Sequence, residues 1–151
     1  MIILQVKYRP AIQLSDSEQE TILSWQALNW SKKVQVADFE NANAHYLLLT
    51  HSTQMIGFVS YHNLFGDWSV NQVFLLPAFR GQSLSYYLLE ALIERFNEEA
   101  GEQIYLEVRE SNMPAVRLYE RSGFRVISRR PNYYKEPLED ALVMIYKRGV
   151  Q

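Results

Sequence analysis

Hydrophobic and polar positions change their period along this chain, and each change marks an element. Residues 2–8 read as a first strand, closed by Pro10. Ser15 and Glu18 have capping-box spacing. They predict a helix running to about Leu28, with Ile22, Leu23, Trp25 and Gln26 on its partly apolar face. Ser31 caps a second helix from Lys32 to about Asn41, with Val34, Val36, Ala37 and Phe39 as its apolar contacts. His45–Thr50 and Met55–His62 form a hairpin around a turn at 51–54, and Gly66-Asp67 turns into a buried strand at 70–76. Leu84, Leu88, Ala91, Leu92, Arg95 and Phe96 then fall at helical spacing, and all but Arg95 are apolar. Ala100-Gly101 ends that helix.

The second half alternates again. Ile104, Leu106 and Val108 take one face of a strand, and Tyr105, Glu107 and Arg109 take the other. Ser111-Asn112 opens a short helix that tolerates Pro114 in its first turn and ends at Gly123. Two strands follow at 124–130 and 139–147, joined by a wide connection through Arg130–Tyr134. Interleaved helices and strands in this order predict an α/β (α+β) fold, a mixed sheet with helices packed on it. A length of 151 residues fits one domain over 1–151.

Composition narrows the function. Hydrophobic residues make up 48% and charged residues 21%, as in a soluble globular protein. A net charge of −2 supplies no basic field for nucleic acid, and no apolar run reaches membrane-spanning length. The N-terminal residues are too mixed for a signal peptide. The absence of cysteine excludes disulfides and a thiol nucleophile and fits a cytoplasmic protein. His45, His51 and His62 lack metal-ligand spacing, so no metal is expected. A monomer is the expected state.

The loop Arg80-Gly81-Gln82-Ser83-Leu84-Ser85 lies at the start of the long helix, where free N–H groups and the helix dipole favour an anion. Its serines equally suit an ordinary capped helix. Preceded by Pro77-Ala78-Phe79, the loop resembles the acyl-CoA pyrophosphate loop of the GNAT acetyltransferases, with Ser83 and Ser85 where that family prefers glycine. Leu106-Glu107-Val108-Arg109-Glu110-Ser111-Asn112, followed by Ala115, Leu118-Tyr119-Glu120 and Gly123-Phe124, is similar to the family's bacterial ribosomal-protein-alanine N-acetyltransferases. So are Arg130-x-Asn132-Tyr133-Tyr134, Glu139-Asp140-Ala141-x-x-Met144 and Asn29-Trp30-Ser31, the last with Asn29 in place of proline.

The resemblance implies a GNAT fold, with a mostly antiparallel sheet of six to seven strands and about four helices. It implies acetyl-CoA as co-substrate and an amine acceptor, first a protein's N-terminal α-amine such as a ribosomal alanine. Glu107 would be the general base and Tyr119 the acid. The backbones of Val73 and Leu75 would hold the pantetheine arm. Arg80, Gly81, Gln82, Ser83 and Ser85 would surround the pyrophosphate, and Asn112 and Tyr119 would also touch CoA. Trp30, Tyr133 and Tyr134 would border the acceptor, with Glu139 and Asp140 holding a basic peptide. Both serines are expected to be tolerated, with negative φ in the first helical turn.

Each residue also has a plainer reading. Glu107 suits a solvent-facing strand, Tyr119 a core contact, Asn112 a helix cap, Arg80 a solvated cation, and Tyr133 and Tyr134 an exposed turn. Acetylation of a small amine or a lysine remains open, as does a GNAT-fold binding module that has lost CoA.

Overall fold

Alternating apolar residues in the first half become a row of antiparallel strands. The computed structural model describes residues 3–25 and 30–149. Strand β1 (Leu4–Pro10) is followed by helices α1 (Asp16–Ser24) and α2 (Lys32–Phe39). Strands β2 (Ala44–His51), β3 (Gln54–Leu64) and β4 (Asp67–Leu75) come next, then helix α3 (Leu84–Glu98) and strand β5 (Gln103–Arg109). Helix α4 (Met113–Arg121) and strands β6 (Arg125–Lys135) and β7 (Leu138–Lys147) complete the described residues. The seven strands form one sheet in the order β1-β2-β3-β4-β5-β7-β6. Every neighbouring pair is antiparallel except β4 and β5.

The caps form as the sequence predicts. Ser15 and Glu18 make a complete capping box, and the Ser31 hydroxyl accepts from Val34 N–H. Helix α1 ends at Ser24, short of the expected Leu28, because Trp25 is already extended (φ −82°, ψ 108°); residues 26–29 lie outside the described residues. Phe65 and Gly66 both have positive φ (55° and 96°), which makes the two-residue link between β3 and β4 a tight hairpin. Residues 131–134 are not a wide connection, because they continue β6 and the chain turns only after Lys135. Breaks in register at 126/128 and 130/134 let the long strand bend there.

Two cores form, one on each face of the sheet. Leu84, Leu88, Leu89, Leu92, Ile93 and Phe96 of α3 pack with Leu47, Val59, Trp68, Ile104, Leu106 and Val108. On the other face, Ile22 and Phe39 of α1 and α2 pack with Tyr46, Leu48, Phe58 and Phe74. Helix α2 keeps Phe39 of its expected apolar contacts but not the valines. Val34 and Val36 are exposed at 48% and 39%, while Gln35 (1%), Asp38 (6%) and Phe39 (3%) are buried.

The feature that makes a site is where β4 leaves β5. The two strands pair only at Asp67–Ser69 against Gln103–Tyr105. Beyond that, Val70 faces Tyr61 and Gln72 faces Ser60, so Asn71 is an extra residue, a β-bulge on β4. A bulge bends and twists its strand, and the sheet opens into a V. Trp68 sits at its root, 1% exposed, stacked on Tyr61 at 4.4 Å and edge-on to Phe96 at 5.3 Å.

Candidate active site

The V is a cleft of about 640 Å³, walled by Val70–Phe74 of β4 and Leu106–Arg109 of β5. Asn112, Ala115 and Tyr119 of α4 close one side, and Tyr134 and Glu136 close its end. The free edge of β4 can be assigned. Leu76 N–H donates to Ile56 O at 2.8 Å, so Phe74 and Leu76 turn their backbones to β3. Val73 and Leu75 therefore present theirs to the opening. Such an edge is a template for an added extended segment. Arg80 Nε already donates to Leu75 O at 2.9 Å, and its guanidinium lies 5.9 Å from the Phe74 ring.

Helix α3 begins just past the tip of β4. Its N-cap, Ser83, makes no side-chain cap, and Tyr87 N–H donates to Ser83 O at 3.1 Å. The first-turn N–H groups are thus available to an anion. Gly81 has φ 79°, and an added Cβ would meet no atom within 4 Å. The expectation for the serines holds only for Ser85, which lies in the first turn of α3. Ser83 has φ 62° and ψ 17°, the left-handed conformation that favours glycine. A β-branched residue there costs about 1–2 kcal/mol. Ser83→Val is therefore expected to lower thermal stability by roughly 2–8 °C, read by differential scanning calorimetry.

Glu107 follows the alternation of β5. Ile104, Leu106 and Val108 enter the α3-side core, and Glu107 takes the opposite face. It lines the main cleft and also a second depression of about 330 Å³, shared with Ser69, Tyr105, Ser128, Arg130 and Val143. Glu107 thus joins the two. Arg130 Nη1 donates to Glu107 Oε2 at 3.3 Å, in a pair half-open to solvent. Burial, and then the Glu107 carboxylate, push the Tyr133 phenol above its ordinary value. Tyr119 lies across the cleft on α4. Burial, with a smaller contribution from Tyr134, pushes its phenol up to about 12, so it stays protonated at neutral pH.

A strand pair that splays at a bulge, an open β4 edge, an uncapped helix start beyond it and a carboxylate at the mouth form one arrangement. The Acetyltransferase (GNAT) family profile matches residues 10–124. The chain belongs to this family. Its relatives include the [Ribosomal protein bS18]-alanine N-acetyltransferase of Haemophilus ducreyi, 34% identical over 76% of this chain and 81% of the relative. The crystal structure of the ribosomal-protein-S18-alanine N-acetyltransferase from Escherichia coli superposes with a TM-score of 0.86 at 24% identity, over 99% of this chain and 96% of that one. A GNAT family acetyltransferase from Elizabethkingia anophelis with acetyl-CoA bound superposes with a TM-score of 0.76 at 14% identity, over 95% and 97% of the two chains. GNAT acetyltransferases use acetyl-CoA as co-substrate, and this chain is an acetyl-CoA-dependent N-acetyltransferase.

Within this GNAT domain the cleft gathers Val73, Glu107, Asn112, Tyr119 and Tyr134. Asn112 also caps α4, its Oδ1 accepting from Ala115 N–H at 3.3 Å. Leu75, Arg80, Gly81, Gln82, Ser83 and Ser85 lie along the strand end and loop beyond the cleft, where Gln82 Nε2 donates to Ala78 O at 3.4 Å. Tyr133 stands outside the cleft, against Glu107 and Arg130. Trp30 is half-buried in the bend before α2 and is not among the residues lining either cavity.

The acidic pair is not available to a basic peptide. Glu139 pairs with Arg109 at 3.2 Å and accepts from Ser111 N–H; Ser111 first, then Arg109, hold its carboxyl below the usual range. Asp140 accepts from Asn132 N–H at 2.8 Å and pairs with Arg129. Both carboxylates tie the β6–β7 hairpin down. Arg109 adds bonds to Pro137 O and Glu136 O and lies over the Tyr134 ring at 4.3 Å. Gln72 in the β4 wall was not singled out by the sequence, and Arg130 was quoted there only as part of a motif, not as the partner of Glu107. Both depend on register across bulges, which no periodicity reveals.

Proposed function

We propose that this single-domain enzyme acts as a monomer in the cytoplasm. It transfers the acetyl group of acetyl-CoA to the N-terminal α-amine of a protein, first an alanine of a ribosomal protein. One observation carries the reading: Glu107, on the face away from α3, reaches the same cleft as the open β4 edge. The names of the 32–34% identical relatives support the acceptor. The described residues include no helix long and apolar enough to cross a membrane.

In this reading the backbones of Val73 and Leu75 hold the pantetheine arm as an added strand. The α3 start, with Arg80, Gly81, Gln82, Ser83 and Ser85 around it, takes the pyrophosphate. Asn112 contacts CoA from the α4 side. Tyr133, Tyr134 and Trp30 border the acceptor. An α-ammonium has a reference pKa of about 7.7–8.0, so Glu107 has only to take a weakly held proton, directly or through water. The freed lone pair attacks the thioester carbonyl, and the C–S bond breaks as the thiolate leaves.

Tyr119 faces that thiolate, but its proton is held more tightly than a thiol holds its own, about 8.5. Its hydroxyl hydrogen-bonds the departing sulfur; of the two protons that the ammonium sheds in becoming an amide, Glu107 takes one and passes it to solvent, and the other ends on the thiolate.

The test is a panel of peptides with acetyl-CoA, read by mass spectrometry. A peptide with a free N-terminal alanine is expected to gain one acetyl at the α-amine. Blocking that amine is expected to abolish the reaction even with an internal lysine present. Modification of the lysine in the blocked peptide would move the acceptor to side-chain amines.

A further inference from the structure

Helices α3 and α4 pack on one face of the sheet, since Val116 of α4 joins the core that α3 builds and Leu118 packs against it. The last turn of α4 carries Arg121, and its guanidinium lies over the Tyr86 ring at 4.1 Å. Tyr86 is the third residue of α3, so its own N–H is among those that the uncapped helix start leaves open. An arginine suits the C-terminal end of any helix. The Tyr86 ring adds something more specific, because it holds this cation beside the start of a second helix.

That guanidinium is uncommitted. Arg129 pairs with Glu110 and Asp140, Arg130 pairs with Glu107, and Lys135 donates to Asn132 O. Arg125 opens β6, at the outer edge of the sheet. Arg121 is exposed and forms no ion pair or hydrogen bond among the described residues. Stacking on a ring uses the face of a guanidinium and leaves the N–H groups in its plane free to fork onto an oxyanion.

Two places for an anion therefore adjoin, the α3 start and Arg121. Acetyl-CoA carries two anionic groups on one ribose. The pyrophosphate is attached at the 5′-carbon, and a phosphate monoester, close to doubly charged at neutral pH, at the 3′-carbon. A pyrophosphate seated at the α3 start leaves that monoester one sugar ring away. We propose that Arg121 binds the 3′-phosphate of CoA and so selects acetyl-CoA over acetyl thioesters that lack this phosphate. The proposal rests on the reading above, in which the α3 start takes the pyrophosphate.

The experiment titrates the wild type, Arg121→Met and Arg121→Lys calorimetrically with acetyl-CoA and with acetyl-3′-dephospho-CoA. The wild type is expected to bind acetyl-CoA about fivefold or more tightly than the dephospho form. Added salt is expected to shrink this preference, as for any exposed ion pair. Arg121→Met is expected to lose the preference and bind both forms alike. Arg121→Lys keeps the charge without the fork and is expected to retain part of it. All three proteins should bind the dephospho form within about twofold of one another, which a variant that merely disturbed the α3 start would not do. A wild type that binds both forms equally, or an Arg121→Met variant that keeps the preference, would overturn the proposal and leave the acetyl-transfer reading standing. A wild type that binds neither form sinks the reading and the proposal together.

Discussion

Glu107→Gln is expected to lower kcat with an N-terminal alanine peptide by about 10²–10⁴-fold, the usual range for loss of a general base. The glutamine keeps the size of the side chain and can still accept from Arg130, so the change removes the charge and the basicity. The Arg130 pair is half-open to solvent, and its loss is expected to cost no more than about 1 kcal/mol of stability. Acetyl-CoA affinity should be unchanged, because the β4 edge and the α3 start do not involve this carboxylate. The deficit should shrink as pH rises above about 8, where the α-amine arrives already deprotonated. A pH series of kcat checks this. Tyr119 should not introduce an alkaline limb across that range, since its phenol holds its proton up to about 12. Unchanged turnover in the glutamine variant would remove Glu107 from the mechanism.

Trp68→Ala is expected to destabilise the protein by about 3–5 kcal/mol, the range for deleting a large buried aromatic. Trp68 is 1% exposed and in ring contact with both Tyr61 and Phe96. Its position makes the consequence functional as well. It is opposite Ile104 in the short stretch where β4 and β5 still pair, so it holds the root of the V. Removing it should lower the melting temperature by roughly 10 °C or more and weaken acetyl-CoA binding at a temperature where the variant is still folded. A shift of only a degree or two would show that other contacts carry the root.

Helix and strand order was legible because caps and periodicities are local. Ser15 and Glu18, Ser31, and the apolar stripe of α3 all formed as their spacing requires. Glu107 was legible as a residue on the opposite face from Leu106 and Val108, since alternation fixes faces. Register was not legible. The bulge at Asn71 and the breaks in β6 decide what sits beside Glu107, and they arise from pairing between distant strands. Helix α2 misled for a related reason. Its valines suggested the buried face, but Gln35 and Asp38 bury because Tyr46, His62 and Gln72 supply their bonds. Ser83 looked like an ordinary helix-start serine, and only the backbone reveals its positive φ.

The splayed strands and the α3 start, with serine where the family prefers glycine, must hold acetyl-CoA for this enzyme to work. Calorimetric titration of the wild-type protein with acetyl-CoA measures this directly. Micromolar binding, about −8 kcal/mol, is expected. No heat of binding up to millimolar acetyl-CoA would contradict it.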